Sequence, residues 1–155
     1  LAERLRRPFI DLDDCTAAIL DCATAGDALR TRGEPAFREA ETAALREVLT
    51  ETTPAVVALG GGTPTAPGAA ALLLDARGTH RVVVVYLRAT PAVLADRLRT
   101  SNAVSRPSLT GAPPADEVEV LFQRRDPLYT RIADRMVDAT RATAAIVDQL
   151  MTASR

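Results

Sequence analysis

The sequence predicts an α/β fold built on a parallel sheet with helices on both faces. Two patterns point to it. The runs Val56–Leu59 and Val82–Leu87, the latter within a strand Arg81–Leu87, are continuously apolar rather than alternating, as strands covered on both sides are. Between such runs lie segments with helical spacing, of which Pro35–Thr50 is the strongest. A length of 155 residues adds that one domain can bury a substantial core.

Taken in order, Leu1–Arg7 reads as the end of a helix, and Pro8-Phe9-Ile10 leads into a short strand that ends at Asp11. Asp14 to about Ala25 has helical spacing, with Ile19 and Cys22 on one side. Gly33 opens the helix Pro35–Thr50, which offers Phe37, Ala40, Ala44, Leu45 and Val48 for burial. After the strand Val56–Leu59, Thr65-Ala66-Pro67 is expected to start a helix that Gly78 closes. Arg81–Leu87 is the clearest strand, and Thr90-Pro91 caps a helix running to about Thr100. Residues 102–114, with three prolines and one glycine, read as a mobile loop. A long helix follows, expected to break near Asp126-Pro127; then come a short strand at Met136–Asp138 and a closing helix capped by Thr140.

Composition excludes several classes of function. With 47% hydrophobic and 25% charged residues and a net charge of −1, the chain is an ordinary globular sequence. The basic residues are interleaved with acids and aromatics are only 3%, which argues against a nucleic-acid surface. No apolar run is long enough for a membrane helix, and the start lacks a secretory pattern, so a cytoplasmic protein is expected. Cys15 and Cys22, seven apart, are too distant on a helix for a disulfide and have no histidine nearby for a metal. All 19 basic residues are arginine, so a role that requires lysine is closed to these residues.

In open α/β sheets, ligands bind beyond the carboxyl ends of the strands. Asp11 and Asp13 follow the first strand, Gly60, Gly61 and Gly62 follow the second, and the Arg106-Pro107 loop follows the third strand and its helix. The set combines carboxylates for metal or proton work, glycines that expose backbone N–H groups, and guanidinium groups for anions.

The motif order resembles shikimate kinase, a small kinase of the nucleoside-monophosphate-kinase type within the P-loop fold. The matching segments are Phe9-Ile-Asp-Leu-Asp13, Gly33-Glu-Pro-Ala-Phe-Arg-Glu-Ala-Glu41, Ala58-Leu-Gly-Gly-Gly62, Arg106-Pro107 and Arg124-Arg-Asp-Pro-Leu-Tyr129, in register over essentially the whole chain. The resemblance implies transfer of the ATP γ-phosphoryl group to the 3-hydroxyl of shikimate, a step of aromatic amino-acid biosynthesis, with Mg²⁺. It implies a three-layer sheet of strand order 2-3-1-4-5, in one domain over 1–155, with a substrate-binding region at 26–62 and a lid at 102–114. By the same resemblance, Asp13 meets the reacting hydroxyl and Asp11 helps hold Mg²⁺ through water. Arg38 and Arg125 grip the shikimate carboxylate, and Gly60, Gly61 and Gly62 line the substrate pocket. Arg106 reaches the transferring phosphate, while Arg99 and Arg141 lie toward the adenine. A monomer is expected.

The sequence departs from the family pattern at Leu29, where an aromatic is usual, and at Ser108, where a leucine is usual. The family also begins with a strand and a GxxGxGK[ST] loop ahead of a helix whose end resembles Leu1–Leu5. The expectation is therefore a chain short of about twenty residues, without the central strand and the ATP-phosphate loop, and with little kinase activity as given. Two other readings stay open: a non-catalytic domain that binds a small acid or a partner, and a related kinase with another acceptor such as gluconate.

Overall fold

The structure is a computed structural model that describes residues 1–100 and 114–152. These residues divide into two compact units, Leu1–Val82 and Val83–Arg155.

In the first unit, a short helix α1 (Ala2–Leu5) precedes strand β1 (Phe9–Asp11). Helices α2 (Leu12–Ile19), α3 (Ala25–Arg32) and α4 (Glu34–Thr50) follow, then strand β2 (Val56–Ala58) and helix α5 (Ala69–Gly78). β1 and β2 are parallel, with Phe9 opposite Val56 and Asp11 opposite Ala58. α2 packs on α4, and their shared core is built on Leu12, Ala17, Phe37, Ala40, Ala44 and Leu45. The many alanines let the helices approach closely, so burial here depends on close fit as much as on area.

Helix starts follow local chemistry. Asp11 accepts a hydrogen bond from the Asp13 N–H at 3.0 Å and so caps α2. That starts the helix at Leu12, two residues before the expected Asp14. Asp21 then adopts φ 52°, which ends the helical path, and Thr24 accepts from the Asp27 N–H to start α3. The helix expected to reach Ala25 therefore stops at Ile19, and α3 is a separate helix that the sequence reading did not assign. Gly33 joins α3 to α4 at φ 81° and ψ 163°, a region essentially closed to side chains.

The helix expected from Thr65 starts only at Ala69, after a 3₁₀ turn at Thr63–Thr65. The cause is Gly68, whose φ of 81° redirects the chain between Pro67 and the helix.

The second unit contains strand β3 (Val85–Arg88), helices α6 (Pro91–Thr100) and α7 (Pro114–Ile132), strand β4 (Arg135–Asp138) and helix α8 (Thr143–Thr152). β3 and β4 are parallel, from Val85 opposite Arg135 to Arg88 opposite Asp138. The strand expected at Arg81 starts later because the Val84 N–H is taken by the Asp134 carboxylate at 2.8 Å. Thr140 does not cap α8; its N–H and hydroxyl both bond the Asp138 carboxylate, folding a turn after β4. Nor does α7 break at Asp126-Pro127: the helix runs through Pro127. Asp126 is held from β3 by both Tyr86 and Arg88, which offsets the backbone bond that proline cannot make.

Among the described residues the strands form two parallel pairs, β1 with β2 and β3 with β4. No described helix is long and apolar enough to cross a membrane.

Candidate active site

The parallel register explains why Asp13 and Gly60 meet. Asp11 lies opposite Ala58, and each chain continues two residues past that pair, to Asp13 on one side and Gly60 on the other. A Cβ added at Gly60 would lie 2.5 Å from Asp13 Oδ1 and 3.2 Å from Glu41 Oε1. Glycine is required here for room: its φ lies outside the left-handed range, so backbone freedom is not the reason.

Helix α4 supplies the basic component. Glu34, Arg38 and Glu41 stand at i, i+4 and i+7, one stripe of the helix. The Arg38 Nη1 donates to Glu41 Oε2 at 2.6 Å, and the Thr63 hydroxyl donates to Glu41 Oε1 at 2.8 Å. Glu41 is only 1% exposed and Arg38 15%, so this pair works at low dielectric, where geometry and full hydrogen bonding decide its worth. On its other edge Arg38 donates through Nε and Nη2 to Glu34 Oε1, both at 3.3 Å. Burial disfavours the charge on Arg38, but the carboxylates of Glu41 and Glu34 outweigh it and raise its pKa.

A Cβ on Gly62 would collide with the Arg38 guanidinium, whereas one on Gly61 would have nothing within 4 Å. The three glycines therefore have distinct reasons. Gly60 makes room for Asp13, Gly62 makes room for Arg38, and Gly61 faces open space. Beside Arg38 lies a surface cleft of about 410 Å³, lined by Glu34, Pro35, Arg38, Glu39, Thr65 and Pro67. That volume falls within the range of small-molecule sites.

The first unit thus brings together Asp11, Asp13, Arg38, Gly60, Gly61 and Gly62. Asp11 spends one carboxylate oxygen on capping α2. No described group of three or more acidic, histidine or cysteine side chains forms a ready metal cage. An acidic pair is still the donor set suited to Mg²⁺, which keeps much of its water and takes one or two carboxylates plus phosphate oxygens.

The other expected residues belong to the second unit. Arg125 is half-buried in α7. Arg99 is exposed near the end of α6, 3.8 Å from Asp96. Arg141 donates to Gln149 at 3.1 Å. Arg106 lies outside the described residues, as do Ser108 and most of the expected lid.

Sequence reading passed over the cluster beside Arg125. Tyr86 and Arg88, two apart on β3, share a face and both reach Asp126. Arg88 binds its carboxylate through Nε at 2.7 Å and Nη2 at 3.1 Å, and lies 5.2 Å from the Phe122 ring centre. The Tyr86 hydroxyl donates to the same carboxylate at 3.0 Å, and its ring meets Tyr129 edge-on. The Arg88 hydrogen bonds hold the Asp126 pKa below the usual carboxylate range.

For Tyr86, burial first and the Asp126 carboxylate second push the pKa up to about 12. A raised value favours the neutral phenol in the folded state. The stability it contributes is therefore complete below the unfolded value of about 10 and is lost as pH rises through the folded one. Denaturant midpoints are expected to fall from pH 10 to 12 more steeply for the unaltered chain than for Tyr86→Phe; equal slopes would disprove the linkage.

Comparison with known proteins identifies the family. The family model for shikimate kinase matches residues 1–155. Shikimate kinase from Oleidesulfovibrio alaskensis is 39% identical over 154 residues, which cover 97% of this chain and 84% of that protein. Shikimate kinase 2 from Dickeya chrysanthemi is 39% identical over 161 residues, covering 100% of this chain and 86% of the relative. Among solved structures, shikimate kinase from Bacteroides thetaiotaomicron matches with a TM-score of 0.80 at 29% identity, over 98% of this chain and 86% of that one. Shikimate kinase from Acinetobacter baumannii, solved in complex with shikimate, gives 0.79 at 28% identity, over 99% and 83%. With a family match along the whole sequence, close relatives by identity and a shared fold, the chain belongs to the shikimate kinase family.

Proposed function

We propose that the chain binds shikimate through Arg38 and takes part in transfer of the ATP γ-phosphoryl group to the shikimate 3-hydroxyl. The observation that carries this reading is the Arg38 guanidinium. It is held over Gly62 by the buried Glu41, in the same unit and against the same glycine loop as Asp13. A fixed guanidinium suits the bidentate recognition of a carboxylate. Asp13, packed against Gly60, orients the acceptor hydroxyl or receives its proton. Gly61, which has no neighbour in reach of a Cβ, leaves space for the ring.

Asp11 would hold Mg²⁺ through water, and the ion when bound would offset charge on the phosphates. Roles for Arg125 at the carboxylate, Arg106 at the transferring phosphate, and Arg99 and Arg141 toward the adenine are supported by the family resemblance. Residues 26–62 act on this reading as the substrate-binding region.

Calorimetric titration with shikimate alone tests it, since the reading assigns Arg38, Asp13 and the glycine loop to the acceptor. Arg38→Ala and Arg125→Ala are each expected to weaken binding about 10- to 100-fold, the worth of hydrogen bonds between charged groups. Affinity unchanged in Arg38→Ala would remove the reading's main support.

A further inference from the structure

The two edges of the Arg38 guanidinium are held very differently. Nη1 meets Glu41 at 2.6 Å, and Glu41 is 1% exposed. The Nε and Nη2 edge meets a single oxygen of Glu34 at 3.3 Å twice over, and Glu34 is 54% exposed. Charge-assisted bonds of full strength run at about 2.7–2.9 Å. The Glu41 contact is thus a permanent anchor, while the Glu34 contact is long, solvated and cheap to break. Glu34 and Arg38 both line the cleft, and Glu41 is not among its lining residues.

We propose that Glu34 is an internal stand-in for the substrate's carboxylate. It occupies the side-on fork of Arg38 and must swing into solvent before an acid can take its place. Resting on the reading that Arg38 receives the acceptor's carboxylate, this makes Glu34 a residue that sets affinity and selectivity. The fork is never offered unpaired, so a ligand without a carboxylate gains nothing by entering, whereas an acid replaces a poor ion pair with a bidentate one. Thr63 and Glu41 keep the guanidinium from following Glu34 when it leaves.

The experiment is calorimetric titration of the unaltered chain, Glu34→Gln, Glu34→Asp and Arg38→Ala with shikimate and with its methyl ester. Glu34 is exposed at the start of α4, and thermal melts confirm that each variant is folded. Glu34→Gln is expected to bind shikimate about two- to fivefold more tightly, the range an exposed ion pair can supply. Methyl ester binding should not change. Glu34→Asp keeps the negative charge at the helix start but falls about 1.5 Å short of Arg38, and should show the same gain. A gain in Glu34→Gln that is absent in Glu34→Asp makes the effect one of overall charge and overturns the proposal. Shikimate affinity that is unchanged or weaker in Glu34→Gln, while Arg38→Ala still loses binding, overturns the proposal and leaves the carboxylate reading intact. Unchanged affinity in Arg38→Ala overturns both.

Discussion

Replacing Glu41 by alanine is expected to destabilise the chain by about 3–5 kcal/mol, the cost of removing one partner from a buried ion pair. Glu41 is 1% exposed and bonds Arg38 on one oxygen and the Thr63 hydroxyl on the other. Alanine would leave a guanidinium that is 15% exposed without its close counter-ion and a fully buried hydroxyl without its acceptor. It would also open a cavity between α4 and the glycine loop. Against a total stability of about 5–15 kcal/mol for a typical domain, that loss is large. Glu41→Gln keeps the acceptor for Thr63 and the volume, so it should cost clearly less. The double variant Glu41→Ala/Arg38→Ala should recover part of the loss, because the stranded cation is gone. Urea titrations of the three variants give the comparison, and a Glu41→Ala midpoint close to that of the unaltered chain would refute the argument.

Much of the candidate site's geometry was legible because it sits where sequence and structure are tightly coupled. Asp13 and Gly60 are each two residues past a paired strand position, so finding the strands places the contact. Arg38 and Glu41 are on a helix whose periodicity is plain. What escaped was set by particular contacts with no pattern in the sequence. The Arg81–Val84 stretch reads as strand, yet the Asp134 side chain takes the Val84 N–H and pairing with β4 starts one residue later. Pro127 reads as a break, yet Arg88 and Tyr86 hold the helix from the neighbouring strand. Gly68 reads as part of a helix start, and its positive φ delays that start to Ala69. Two signals were present and passed over. Thr24-Ala-Gly-Asp27 is a helix-capping pattern that marks α3, and Glu34 four residues before Arg38 marks the second ion pair.

Gly62→Ala is expected to weaken shikimate binding about as far as Arg38→Ala does, roughly 10- to 100-fold. The backbone is no obstacle, since Gly62 has φ −108° and ψ −17°, a negative-φ conformation open to alanine. Taken alone, that conformation would make alanine stabilising by about 0.4–1 kcal/mol. The opposing effect is steric: an ideal Cβ would lie 2.7 Å from Arg38 Cζ and 2.8 Å from Nη2. The arginine tip is flexible and can move, so the fold survives. It can move only by loosening its 2.6 Å bond to Glu41, leaving a buried carboxylate short of its partner, a cost of about 1–3 kcal/mol that exceeds the backbone gain. The expected variant is therefore folded, modestly less stable, and deprived of the guanidinium orientation on which the proposed carboxylate contact depends. Gly61→Ala is the control: with nothing within 4 Å of the new methyl group, its melting temperature should stay near that of the unaltered chain. Shikimate affinity in Gly62→Ala equal to that of the unaltered chain would show that Arg38 is not held in place for the ligand. The glycine would then be needed only for packing.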